Sequence, residues 1–352
     1  MDSDALQPRP AVIRMAPYSP PSSGRAGKLR LDFNENTVGA SPRVVQYLRE
    51  QISAGALSIY PEYEETRPAI ARYFGVAVDE FTLTNGTDEA IQVLINTYVD
   101  DGQEALILHP SYAMYRFYAE LAGAAVRAIP YREPDLAFPF EELLAAISPS
   151  TRAILISNPN NPTGTAMPAE SIETIAAAAP GAALLIDEAY FEFCGVTALP
   201  LVARYPNLFV SRTFSKVYGM AAMRAGCLFS QAANVAYLRK AQSPYSVNML
   251  AAAAIRAAIE DRDYIDAYVR EVIEAREEIY RGLTRLGVPF FPSQANFVLF
   301  RAGPHSIEIR DRLRAAGILV RDRSYEIPGC IRVTAGTLEQ ARRFLAELEK
   351  LV

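Results

Sequence analysis

Six short apolar runs, separated by stretches with helical spacing, constrain this chain most. They are Glu104–Leu108, Val126–Ile129, Ala153–Ser157, Ala182–Ile186, Leu208–Ser211 and Ala225–Ser230. Runs of this length without polar alternation read as strands buried on both faces. Helical patterns such as Asp88–Tyr98 and Glu170–Ala178 fall between most of them. That alternation belongs to an open sheet with helices on both faces, in which ligands bind outside the carboxyl ends of the strands. The expected fold class is α/β: a mostly parallel central sheet covered on both faces, plus a smaller C-terminal α/β domain.

The flanks set the organisation. Residues 8–21 hold five prolines and no helical pattern, which predicts an extended arm over the surface or over a partner subunit. Ser41-Pro42 reads as an N-cap followed by proline at the first helical position. Near Pro244 the texture changes: residues 248–286 read as helical, alanine-rich and then charge-alternating, and stop before Gly287. The remainder reads as strand, helix, strand, strand, helix. The helix from Ser306 is expected to stop at Gly317, and the last to open on a capping box, Thr337 to Gln340. Three units follow: an arm, 1–40, joining the small domain; a large domain, 41–247; and a small C-terminal domain, 248–352.

Composition excludes several classes. Half of the 352 residues are hydrophobic and 21% are charged, which suits folded cores rather than a disordered chain. The formal net charge is −5 with no basic tract, so a nucleic-acid partner is not expected. The longest apolar stretch, Ala176 to Ile186, is interrupted by Pro180 and Gly181 and is too short to cross a bilayer. The start Met1-Asp2-Ser3-Asp4 lacks the basic and apolar regions of a secretory signal. Cys194, Cys227 and Cys330 are far apart and odd in number, which argues for reduced thiols. With only His109 and His305, no metal site is expected. A cytoplasmic location is expected.

The chemistry-bearing segments sit after the apolar runs. Ser211-Arg-Thr-Phe-Ser-Lys216 is followed by Arg224. A lysine at the sheet edge beside cations should have a lowered pKa, which suits a Schiff base with an aldehyde. Thr213, Ser215 and Arg224 suit a phosphate. Taken alone, the segment fits a surface lysine near a turn equally well. Asp187 closes the run Ala182–Ile186; a carboxylate there could hold a proton on a pyridine nitrogen, or merely cap a helix. The turn Asn158-Pro-Asn-Asn161-Pro-Thr-Gly164 would aim Asn161 into the same crevice, or be an ordinary turn. Thr84-Asn-Gly86-Thr87-Asp88-Glu89 would offer backbone N–H groups to an anion at a helix start. Tyr112, after His109-Pro-Ser, could stack on a flat cofactor or fill the core. Arg332 lies inside an apolar run and needs an anion: a substrate group, or an internal acid such as Glu326. Of Arg321 and Arg323, one is expected to face solvent.

In order and combination, from about Leu31 to the C-terminus, these segments resemble the fold-type I pyridoxal-phosphate aminotransferases of class I/II, and among them the histidinol-phosphate aminotransferase branch. The signs are Leu31-Asp-Phe-Asn-Glu-Asn36, Tyr60-Pro-Glu-Tyr63, the asparagine-rich turn, Asp187-Glu-Ala-Tyr190, Arg212-Thr-Phe-Ser-Lys216, Gln294-Ala-Asn-Phe297, Val320-Arg-Asp-Arg323 and Ile331-Arg-Val-Thr-Ala-Gly336. The resemblance implies that Lys216 holds pyridoxal 5′-phosphate and then shuttles a proton. It implies that Asp187 pairs with the pyridinium nitrogen, that Asn161 and Tyr190 bond the ring oxygen, and that Tyr112 stacks on the ring. Gly86, Thr87, Thr213, Ser215 and Arg224 would hold the phosphate, with Asp88 shaping the helix start. Tyr60 would reach the phosphate of the neighbouring subunit, making a homodimer with shared active sites. Arg332, assisted by Arg321, would grip the substrate anion, and Asn36 would lie near the entering substrate. The branch commonly carries proline after Asn36; here Thr37-Val38 stands instead. The activity implied is amino transfer from L-histidinol phosphate to 2-oxoglutarate, in histidine biosynthesis. Aromatic amino-acid aminotransferases and amino-acid phosphate decarboxylases share most of these motifs. A ligand sensor of this fold would need a DNA-binding domain, which is not expected in the short proline-rich segment before the first motif.

Overall fold

The fold is that of a computed structural model describing residues 6–17 and 23–352. Thirteen strands form three sheets among these residues. The large sheet contains β2 (Phe81–Thr84), β3 (Glu104–His109), β4 (Ala125–Pro130), β5 (Thr151–Ser157), β6 (Ala183–Asp187), β7 (Leu208–Thr213) and β8 (Gly226–Phe229). Their order is β2-β8-β7-β6-β5-β3-β4, and only β8 runs against its neighbours. All six expected runs are strands, within two residues at each end; β3, β5, β6 and β7 are parallel and covered on both faces, and so need apolar side chains in both directions. Leu106, Ile154, Leu184 and Val210 pack on one face of the sheet. Ala105, Leu155, Leu185 and Phe209 pack on the other, mainly against the helix Gly86–Tyr98.

The C-terminal part holds a second, antiparallel sheet: β9 (Phe290–Phe291), β10 (Phe297–Arg301), β12 (Arg321–Asp322) and β13 (Cys330–Thr334), in the order β12-β13-β10-β9. A third, two-stranded parallel sheet joins β1 (Leu29–Arg30) to β11 (Ile318–Leu319). The helix Met249–Glu260 packs on Pro42–Gln51, and Arg262–Arg285 packs on Leu338–Leu348. The helix ends follow their local chemistry. Ser41 caps the helix that begins with Pro42. Ser306–Ala315 closes near Gly317 at φ +81°. Thr337 and Gln340 form the capping box.

Two sequence expectations need correction. Strand β2 was not anticipated, because Phe81-Thr-Leu-Thr84 is not a continuous apolar run. The proline-rich arm is not wholly extended: Pro10–Arg14 forms a short helix, with Pro10 at its first turn and Ala11 buried toward the helix Ala113–Ala122. Proline is compatible with that position, where its missing N–H has no intrahelical partner anyway. The rest of the expected arm, residues 18–21, lies outside the described residues.

Candidate active site

The carboxyl ends of β5, β6 and β7 open into a cleft of about 450 Å³. Lys216, Asp187, Asn161, Tyr190, Tyr112, Thr87, Asp88, Thr213, Ser215 and Arg224 line it, together with Arg321, Arg323 and Arg332 from the small sheet and its loops. Strand β6 delivers Asp187 as its last residue, and β7 ends at Thr213, three residues before Lys216.

Asp187 is buried. It accepts hydrogen bonds from Tyr115 Oη at 2.8 Å and Ser211 Oγ at 2.9 Å. Burial outweighs these donors and pushes its carboxyl up to about 6. On the opposite face of β7, Arg212 pairs with buried Glu188 at 2.7 Å and so ties the ends of β6 and β7 together. Lys216 Nζ donates to the Phe33 carbonyl at 2.9 Å. Burial, helped by the Arg332 charge, pulls this amine down to about 8. A larger share of it is therefore neutral and nucleophilic at physiological pH.

A polar pocket surrounds the start of the helix Gly86–Tyr98. Thr87 Oγ1 is buried without a partner. Arg224 Nη2 pairs with Asp88 at 2.9 Å, and Tyr112 Oη donates to the other oxygen of Asp88 at 2.7 Å. Gly86 has φ +74°, and a Cβ there would stand 2.7 Å from Arg224 Nη2. Glycine is thus required both by the backbone and by the close approach of the guanidinium.

The opposite wall is cationic. Arg332 Nη1 donates to Asn161 Oδ1, Nη2 donates to the Asp32 carbonyl at 2.6 Å, and Nε is buried without a partner. Burial, with Arg323 and Arg321 nearby, lowers the Arg332 pKa to about 10, so it stays charged at neutral pH. Glu326 pairs with Arg323 rather than with Arg332. Both Arg321 and Arg323 line the cleft, contrary to the expectation that one faces solvent, because Arg323 turns inward onto Glu326.

Two expected residues lie elsewhere. Asn36 does not line the cleft. Its amide donates to the Val217 carbonyl at 2.9 Å and accepts from the Val38 and Gly39 N–H groups, which leaves it a structural brace. Tyr60, expected to serve the neighbouring subunit, is 73% exposed and stacks on Tyr245 at 4.5 Å, outside this chain's own cleft. Sequence reasoning missed Phe33, Asn34, Tyr115 and Tyr325. Asn34 lies in a quoted motif two residues before Asn36, and Tyr115 stands one helical turn after Tyr112, where it reads as an apolar-face residue. Among the described residues no helix is long and apolar enough to cross a membrane, and no cluster of three or more His, Cys, Asp or Glu is placed to hold a metal ion.

Known proteins resemble this chain in sequence and in overall fold. The profile of the family described as aminotransferase class I and II matches residues 26–348. A histidinol-phosphate aminotransferase from Symbiobacterium thermophilum is 36% identical over 97% of each chain. Another, from Halalkalibacterium halodurans, is 33% identical over 97% of this chain and 95% of its own. The crystal structure of histidinol-phosphate aminotransferase from Sinorhizobium meliloti in complex with pyridoxal-5′-phosphate superposes with a TM-score of 0.89, at 25% identity, covering 99% of this chain and all of that one.

Proposed function

The chain belongs to the class I and II aminotransferases, and from that premise we propose that it transfers the amino group of L-histidinol phosphate to 2-oxoglutarate, with pyridoxal 5′-phosphate as cofactor, as a cytoplasmic homodimer. The observation that carries the substrate class is the cationic wall. Arg321 and Arg332 line the cleft, and among the described residues neither has a carboxylate partner, so a doubly anionic substrate would supply what the protein does not.

The residues present fit the cofactor. A phosphate would satisfy the orphaned Thr87 hydroxyl and meet the helix start, Thr213, Ser215 and Arg224. When bound, pyridoxal phosphate supplies an aldehyde for Lys216 and an electron-poor ring that draws charge from the substrate carbon. Asp187, acidic and buried, is placed to hold the proton on the ring nitrogen. Arginine can only donate, so Asn161 Oδ1 is occupied as an acceptor by Arg332. Its Nδ2 is left to donate to the ring oxygen. Lys216 Nζ, when not linked to the cofactor, is the base placed to move a proton at the substrate carbon. Exposed Tyr60, with Leu57 and Ile59 beside it, supports a partner subunit on that face. A dimer mass in solution would check it.

A panel of amino donors tests the substrate. Histidinol phosphate should be preferred over phenylalanine and tyrosine in kcat/KM. A preference for an aromatic amino acid would overturn the assignment, and carbon dioxide release without a 2-oxo acid would replace transfer by decarboxylation.

Two further results are expected. Arg332→Lys should lower kcat/KM for both anionic substrates by about ten- to a hundredfold, the effect of a lost charge-assisted hydrogen bond, with cofactor absorbance unchanged. Wild-type kcat/KM in that variant would remove Arg332 from substrate recognition. Because the Lys216 amine lies near 8, the rate at which cofactor-free protein captures pyridoxal phosphate should rise with pH and level off above about 8. A rate independent of pH between 6 and 9 would contradict this.

A further inference from the structure

We propose that Asn34 is a positioning residue that fixes the Tyr190 hydroxyl as a hydrogen-bond donor toward the ring oxygen of the bound cofactor; this rests on the cofactor reading above and assigns a role to a residue outside it.

The argument is one of hydrogen-bond polarity. A backbone N–H can only donate. Asn34 N donates to Thr334 Oγ1 at 3.1 Å, so the proton of Thr334 is free to go to Asn34 Oδ1, 3.3 Å away. That makes Oδ1 the acceptor and leaves Nδ2 to donate to Tyr190 Oη at 3.0 Å. A hydroxyl that accepts on its inner side sends its own proton elsewhere, and Tyr190 lines the cleft. Among the described residues its hydroxyl has no other partner. Without Asn34, the hydroxyl could turn its proton toward the strap and present a lone pair to the ring oxygen, which would repel it.

The placement of Asn34 is built rather than incidental. It is 1% exposed and has φ +57°, a left-handed conformation that asparagine tolerates far better than most residues. Asn296 Nδ2 holds its carbonyl at 3.1 Å. It sits on a strap, residues 32–36, whose Asp32 and Phe33 carbonyls accept from Arg332 and Lys216. The charged and titratable groups around Tyr190 are Arg332, Arg323 and Asp187. Tyr112 and Lys216 also face it, with Lys216 Nζ 5.8 Å from the ring centroid.

The test is the pH midpoint of the visible absorbance of the holoprotein. A hydrogen bond donated to the ring oxygen draws electron density from it and eases loss of the proton shared with the Lys216 nitrogen. The midpoint therefore rises when the donation is lost. Asn34→Asp keeps the size and tolerates the backbone, but cannot donate and attracts the Tyr190 proton. It should raise the midpoint by about one pH unit, a tenfold change in the protonation equilibrium. Asn34→Gly relaxes the backbone and removes the donor without adding charge, and should shift the midpoint in the same direction by less. Melting curves check that both fold. In a Tyr190→Phe background Asn34→Gly, which adds no charge, should not shift the midpoint further. Equal shifts from Asn34→Gly with and without Tyr190, or a wild-type midpoint in Asn34→Gly, would overturn the role of Asn34 while borohydride still labels Lys216. An unlabelled Lys216 in the wild type would instead overturn the cofactor reading, and this inference with it.

Discussion

Lys216→Ala is expected to reduce turnover by about a thousandfold to a millionfold while leaving the fold intact, because one side chain serves as both covalent anchor and proton carrier. The fold should survive because the Lys216 side chain makes a single hydrogen bond, to the Phe33 carbonyl, and its charge is held in a site that disfavours it. The pH dependence has a definite sign. The amine lies near 8 in the folded chain against an ordinary 10.5. Between these values the unfolded chain binds more protons than the native one, so stability rises with pH across that window. Below about 8 the buried charge is carried in full. Cofactor-free Lys216→Ala should thus gain on the wild type near pH 7, and the gain should shrink as the pH approaches 10.5. Melting curves at the two pH values check this. Pyridoxal phosphate should still bind through Asp187, Arg224 and the helix start, but borohydride should no longer attach it to the chain. Retention of a tenth or more of wild-type turnover would show that another group carries the proton.

Most of the large sheet was legible because strands buried on both faces must be apolar throughout, and a chemical residue at the end of such a run is forced to the sheet edge. Lys216, Asp187 and Asn161 were readable for that reason. Strand β2 escaped because its threonines are buried by tertiary packing: Thr82 donates to Gln242, 160 residues away. No local pattern announces such a pairing. The position of Tyr115 is likewise tertiary, since only the packing of its helix on the sheet brings it to Asp187. Asn34 and Asn36 differ in a way that composition does not encode. The left-handed turn at Asn34 aims one amide at the cleft and leaves the other to brace Val217. For Arg323 the deciding fact is the inward ion pair with Glu326, which spacing alone leaves undetermined.

Asp187→Asn should be the second most damaging substitution. Asparagine fits the same space, and the Tyr115 and Ser211 hydroxyls can rotate to meet an amide, so the packing beneath the cleft should hold. What is lost is the negative charge facing the ring nitrogen. A neutral amide does not favour a protonated ring, and removing one member of a buried charge pair costs about 3–5 kcal/mol. If that full cost falls on the transition state, kcat drops by about a hundred- to several thousandfold. The same carboxyl gives a second readout. Burial raises it to about 6, so in cofactor-free protein it is increasingly protonated below that pH and can no longer oppose a ring cation. The wild type should therefore lose cofactor affinity as the pH falls through about 6, whereas Asp187→Asn should bind weakly and without that step. A variant that keeps both wild-type kcat and the pH-dependent affinity would mean that another group holds the ring proton. Glu188, the next acid in the chain, does not line the cleft and is paired with Arg212, so it is not placed to substitute for Asp187.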